Sequence, residues 1–310
     1  MQKTVLILGA KGRFGRHATE AFWNAGWTVR LFDRAQDELT TAARGADMIV
    51  AAWNPPYHLW KDQLPLLHAK VQAAAGASGA AVVLPGNVYV YPTDAKALWS
   101  EGTNHAAPTP LGRIRQEVEQ SYRDSGVQTI LLRAGDFIDT EPTGGWFDRV
   151  LMSRVQRGQL RYPGDPNALH SWAYLPDLAR AAEQLARQKL SLGSYEEVMF
   201  PGYSITGRQI ADLLSHISCR KIMVRRMSWI PLRLAAPVWP MAKGLLEMRY
   251  LWDTPHSLRS KRLSELCPTY RDTDVEDAVR QAAAPWLSRV RNARSAQFCH
   301  FTRRSTQTNL

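Results

Sequence analysis

The sequence predicts an α/β fold, a doubly wound parallel-sheet fold with a small C-terminal α+β subdomain. Three observations carry that expectation. The apolar run Val5-Leu6-Ile7-Leu8 stops at a glycine, as a buried strand does. A turn with Gly9, Gly12 and Gly15 follows, and then a helical pattern that starts near Arg13 and is closed by Gly26. Beyond it, Thr28-Val29-Arg30-Leu31-Phe32 reads as a second strand running into Asp33. Strands that alternate with helices argue for parallel pairing.

The turn has chemistry of its own. Gly9 permits the tight bend, Gly12 lets backbone N–H groups approach a pyrophosphate, and Gly15 lets the helix pack on the strand. The helix beginning at Arg13-Phe14 aims its N-terminal dipole at the phosphates. Asp33 is placed to accept hydrogen bonds from a ribose diol, which favours NAD. Arg34, Lys11 and Arg13 can pair with the 2′-phosphate of NADP, so both cofactors stay open.

With 310 residues the chain can bury a full core. A hydrophobic content of 45% with 22% charged residues fits a globular protein, and no internal repeat or low-complexity run stands out. The net charge of +11 is uneven. Ten Lys/Arg lie between Arg220 and Arg262 against Glu247 and Asp253, and five Arg with no acid lie from Trp286 onwards. Cys219, Cys267 and Cys299 show neither metal-ligand nor disulfide-framework spacing, so no metal is expected. A reduced, cytoplasmic protein is expected, with the first strand leaving no room for a signal peptide.

Asp47-Met48-Ile49-Val50-Ala51-Ala52 reads as a third strand. Ligands of such folds lie beyond the carboxyl ends of strands, so Ala52, Trp53 and Asn54 should border the cofactor. A helix from Leu59 to about Ala75 leads to the strand Ala81-Val82-Val83-Leu84 and the turn Pro85-Gly86-Asn87. Gln116–Asp124 reads as a helix and Val127–Arg133 as a strand ending at Ala134-Gly135-Asp136. Thr143–Phe147 should start a helix on the substrate side, and Asp177, after Pro176, should help cap the helix running to about Gln188. His170 and Trp172 are candidates for the substrate cavity, with a structural histidine the plainer reading. Glu197–Phe200 and Lys221–Arg226 read as strands, Gly207–His216 as a helix capped by Thr206, and Leu263–Ala284 as closing helical structure.

Gly9-x-x-Gly12-x-x-Gly15, Asp33 and the stretch Val90-Tyr91-Pro92 together resemble the extended and atypical short-chain dehydrogenase/reductase superfamily, over residues 2 to 280. That superfamily includes nucleotide-sugar epimerases and dehydratases and the NmrA-like proteins. The resemblance implies a Rossmann fold with NAD or NADP at the first turn. It also implies a Ser/Thr in the turn after the fourth strand, and a later Tyr-x-x-x-Lys whose Tyr is the acid/base and whose Lys holds the ribose. Here Asn87 stands in the Ser/Thr place, Leu111 in the Tyr place and Arg115 in the Lys place. Leucine transfers no proton, and arginine keeps its charge at neutral pH while still able to bind a ribose. The nearest other acid/base candidates are Tyr89 and Tyr91, with Asn87 able to bond a substrate carbonyl or the nicotinamide amide. Gly135 would let backbone approach the nicotinamide end.

Residues 1–165 are thus read as an NAD(P)-binding core, 166–288 as remaining core elements with the substrate subdomain, and 289–310 as a basic, disordered tail. The leading expectation is an NAD(P)-dependent oxidoreductase or epimerase/dehydratase-like enzyme on a small or sugar-like carbonyl/hydroxyl substrate. The alternative is a non-catalytic NAD(P)-binding sensor. The segment 229–252, rich in Trp, Pro, Arg and Lys, carries too many charges to span a membrane. It reads first as a pocket lid or a packing surface for a homodimer, and second as a membrane-surface segment. No specific nucleic-acid module is present.

Overall fold

A computed structural model describes residues 2–93 and 97–287. The strands are β1 (Thr4–Leu8), β2 (Thr28–Phe32), β3 (Met48–Ala51), β4 (Ala81–Gly86), β5 (Leu98–Trp99), β6 (Thr129–Arg133), β7 (Asp136–Ile138), β8 (Gln159–Tyr162), β9 (His170–Tyr174), β10 (Tyr195–Met199), β11 (Tyr203–Ile205), β12 (Met223–Arg226) and β13 (Ser257–Leu258). The helices are α1 (Arg13–Asn24), α2 (Leu39–Ala43), α3 (Trp60–Ser78), α4 (Pro110–Asp124), α5 (Trp146–Arg149), α6 (Leu175–Arg187), α7 (Gly207–Ser218), α8 (Ile230–Ala235), α9 (Pro240–Glu247), α10 (Lys261–Leu266) and α11 (Val275–Leu287).

Six strands form one parallel sheet in the order β10-β6-β4-β3-β1-β2. Both faces are covered at the four inner strands, which is why β1, β3, β4 and β6 are apolar almost throughout. Alternation decides which side each residue serves: Leu6, Leu8 and Ile49 enter one core, Val5, Ile7 and Val50 the other. The chain leaves β1 for β2 on one side and returns to β3 on the other. That reversal opens a crevice at the carboxyl ends of β1 and β3. A third core under Trp172 and Trp252 belongs to the C-terminal elements.

The expected helices and strands form, with shifted ends. Thr206 caps α7 and completes a capping box with Gln209. The substrate-side helix is four residues, continued by 3₁₀ turns over Leu151–Arg157. Asp177 does not cap α6, whose N-cap is Tyr174 without a side-chain bond. The Asp177 carboxylate instead accepts from Thr273 N at 2.7 Å and Thr273 Oγ1 at 2.8 Å, fastening α6 to the approach of α11. The tail 289–310, with Cys299, lies outside the described residues. No helix among the described residues is long and apolar enough to cross a membrane.

Arg133, at the end of β6, is fully buried. Its guanidinium donates to Glu197 Oε1 at 2.7 and 2.9 Å, to Glu119 Oε2 at 2.7 Å and to the Asn87 carbonyl at 2.5 Å. Burial pushes the Glu197 carboxyl up, but bonds from His105 and Arg133 and the charge of Arg133 overcome it and hold it at about 2. A carboxyl with a lowered folded-state pKa stabilises above its unfolded pKa and loses that contribution as pH falls through the folded value. Urea unfolding at stepped pH should therefore show stability falling between the ordinary carboxylate range, 4.5, and about 2. Glu197→Gln should flatten that fall and cost roughly 2–3 kcal/mol at pH 7.

Candidate functional site

The glycine turn is built as its spacing requires. Gly9 sits at φ +78°, and a Cβ there would lie 2.9 Å from Trp53 N. A Cβ on Gly15 would lie 2.1 Å from the Gly9 carbonyl oxygen, so helix and turn touch backbone to backbone. Gly12 N donates to Gly9 O at 2.8 Å. No side chain caps α1, which leaves the N–H groups of its first turn for a ligand. Phe14 is buried and anchors the helix, while Lys11, Gly12 and Arg13 are exposed.

Ala52, Trp53 and Asn54 leave β3 against this turn, with the Gly9 and Gly12 Cβ positions facing their backbone. Trp53 meets Phe32 edge-on at 5.8 Å, and the Arg34 guanidinium lies 5.5 Å from the Trp53 ring. Asp33 is exposed just past β2, one carboxylate oxygen accepting from Ala35 N at 2.9 Å. The Arg13 side chain reaches across to the loop before α5. Its guanidinium is already bonded to the carbonyls of Gly144 at 2.8 Å and Thr143 at 3.4 Å. The loop that holds it also lines a surface cleft of about 300 Å³ with Asp148, Arg149 and Trp286.

A Cβ on Gly135 would fall 2.1 Å from Ser171 O, so its smallness lets β9 pack against this turn.

The superfamily's catalytic positions are committed elsewhere. The Leu111 side chain is in the first core, and its N–H donates to the Glu247 carboxylate of α9. Arg115 is buried, donates to the Pro85 carbonyl and lies 3.4 Å from Glu119. Asn87 Oδ1 accepts from Tyr89 N at 3.1 Å within its own turn. Tyr91 is fully buried with its hydroxyl on Met199 Sδ at 3.7 Å and its ring 4.6 Å from Trp99, so it meets no substrate without rearrangement.

Tyr89 is better placed. Its hydroxyl shares a 2.6 Å hydrogen bond with Tyr57, which follows the loop from β3. Burial raises both phenols, Tyr57 to about 12 even against the Tyr89 bond, and the charge of Asp136 pushes both further. Asp136 opens β7 and accepts a 2.8 Å bond with His170 Nε2 from β9. Its side chain is 24% exposed against 2% for His170. The His170 ring stacks on Trp252 at 4.3 Å and meets His256 at 4.5 Å. Burial, with His170 adding to it, lowers His256 to about 3, which keeps that ring neutral. Sequence reasoning missed Tyr57, Asp136 and Glu247. Asp136 had a readable signal, since it stands directly beyond a core strand's carboxyl end.

Comparison with protein-family models and with curated protein sequences gave no match. Comparison with solved structures finds the same fold in proteins described as sugar-nucleotide epimerases and an NAD-dependent dehydratase. MoeE5, solved with UDP-glucose and NAD, superimposes with a TM-score of 0.72 at 14% identity, covering 93% of this chain and 99% of that one. The NAD-dependent NDP-hexosamine 5,6-dehydratase TunA of tunicamycin biosynthesis gives 0.72 at 16% identity, over 93% and 98%. UDP-N-acetylglucosamine 4-epimerase from Bacillus cereus gives 0.70 at 14% identity, over 92% and 99%. At these identities the likeness is one of fold.

Gly9→Ala tests the turn. A side chain at φ +78° and 2.9 Å from Trp53 N should cost roughly 1–3 kcal/mol. Thermal melts should show the loss, and Gly26→Ala, with open space at φ +83°, should cost less.

Proposed function

We propose that this chain is an NAD(P)-dependent enzyme of the epimerase/dehydratase kind, acting on a carbonyl or hydroxyl of a sugar-like small molecule. One observation carries the reading. An uncapped helix behind a glycine turn, an exposed carboxylate after β2, and a cluster of Tyr57, Tyr89, Asp136 and His170 all adjoin the carboxyl edge of one parallel sheet. The turn fits a pyrophosphate, because Gly12 is exposed and a Cβ there would come within 3.1 Å of the Gly9 carbonyl. Gly12, Gly15 and the first-turn amides would hold the phosphates, Asp33 the adenosine ribose, and Trp53 with Arg34 the adenine side. NAD(P), when bound, supplies hydride exchange.

The chain's own residues handle the proton. Leu111 has none to give. The Tyr89 hydroxyl, paired to Tyr57, and the Asp136 carboxylate, held by His170, are the groups from which a substrate hydroxyl proton can be taken or returned. Phenols this high bind protons firmly, which suits delivery to an alkoxide better than removal from an alcohol. Asp136 is correspondingly the acceptor, and His170 is a positioning residue.

A second reading, a non-catalytic NAD(P)-binding sensor, is favoured by one observation: the Leu111 and Arg115 positions are spent on packing and ion pairs. Turnover separates the two. Titration with NADH and NADPH, followed by energy transfer from Trp53, should show binding of at least one, and Asp33→Ala should weaken NAD more than NADP. Equal weakening removes Asp33 from ribose recognition. Against a panel of nucleoside-diphosphate sugars, Tyr89→Phe and Asp136→Asn should each lower kcat by about 10²-fold or more with cofactor affinity kept. His170→Asn should shift the pH profile of the same step. Cofactor binding without turnover of any sugar would leave the sensor reading.

A further inference from the structure

In the C-terminal subdomain, β12 and the segment that continues from it through α8 carry both exposed arginines and exposed apolar side chains. Ile230, Leu234, Val238 and Trp239 are exposed by 62, 75, 85 and 46%. Nothing on α8 is buried. Prolines 231, 237 and 240 interrupt the stretch, so it forms a short rigid lip and no long helix. The strand leading into the lip is basic. Arg225 lies in parallel register beside Arg161, while Arg226, one residue on, ends β12 and projects to the other side of the strand pair. Arg154 and Arg157 border the same strand pair, and Arg233 sits within the lip.

No Asp or Glu occurs between Asp148 and Asp165 or between Asp212 and Glu247. Among the described residues none of Arg154, Arg157, Arg161, Arg225, Arg226 and Arg233 forms an ion pair. Adjacent like charges repel, and an exposed apolar ridge costs hydration. One partner answers both features: a surface that offers anions at one depth and hydrocarbon just below. An acidic polymer would neutralise the arginines and leave the ridge wet. A purely apolar partner would cover the ridge and leave the charges.

We infer that this segment docks on an anionic lipid bilayer, with Leu234, Val238 and Trp239 entering the headgroup boundary and the arginines on lipid phosphates. The attachment is peripheral, consistent with the lack of any spanning helix among the described residues. It is independent of the reaction proposed above.

The test is co-sedimentation of the full chain with phosphatidylcholine vesicles, with and without roughly one-third phosphatidylglycerol. Binding is expected to the anionic vesicles alone and should weaken with salt. The doubles Arg225→Glu/Arg226→Glu and Leu234→Ser/Val238→Ser should each reduce partitioning at least about tenfold. Trp emission should shift to the blue on binding, and Trp239→Phe should diminish that shift. These positions are exposed, so unchanged melting and cofactor titration should accompany the loss. Three results overturn the inference: no sedimentation with anionic vesicles at low salt, wild-type binding by the serine double variant, or a stable dimer in light scattering that the serine double variant dissociates.

Discussion

The Arg133 guanidinium is the contact on which the site's geometry rests. A cation taken wholly out of water survives only when its hydrogen bonds are answered by carboxylates or carbonyls. Arg133 finds its partners on three different elements: Glu119 of α4, Glu197 of β10 and the Asn87 carbonyl after β4. The last sheet strand, the helix beside it and the turn that begins the candidate site are therefore fixed to one planar group. Its charge also lies 5.4 Å from the Tyr91 ring, which packs against Trp99 in the first core.

Arg115 belongs to the same arrangement. A lysine in that place would present a compact ammonium, whereas a guanidinium is a fork with several donors. Here the fork spans the Pro85 carbonyl and Glu119, so the substitution extends the buried network one helical turn towards the site. Leu111 completes the change. Where the superfamily pattern carries a phenol, this chain has an apolar side chain in the core, and the free amide at the start of α4 binds Glu247 from above. In this chain α4 is a scaffold at both positions. The groups proposed above to carry the proton, Tyr89 and Asp136, stand at strand ends instead, hydrogen-bonded to Tyr57 and His170.

Most of the fold was legible because its signals are local. Val5 to Gly15 carries a strand period, a turn and a helix start in consecutive residues, and the apolar runs of β3, β4 and β6 are long enough to mark buried strands. The parts that escaped depend on distance along the chain. Asp136 and His170 are 34 residues apart and meet through the pairing of β7 with β9, and Glu247 reaches Leu111 across 136. Neither separation leaves a periodic trace. The contacts of Gly135 with Ser171 and of Asp177 with Thr273 are of the same kind, since only the fold brings those residues near.

Gly244 in α9 lies against the Tyr57 ring, with the Cβ it lacks coming to 2.6 Å from Tyr57 Cβ. A ring seated on bare backbone has no side chain between it and the roof to absorb displacement. Tyr57 and α9 are then mechanically one part, and the partner hydroxyl on Tyr89 registers any lift of that part as a stretched hydrogen bond. The packing of α9 and the geometry of the phenol pair are in this way one constraint, and a side chain at position 244 would be felt at the Tyr89 hydroxyl.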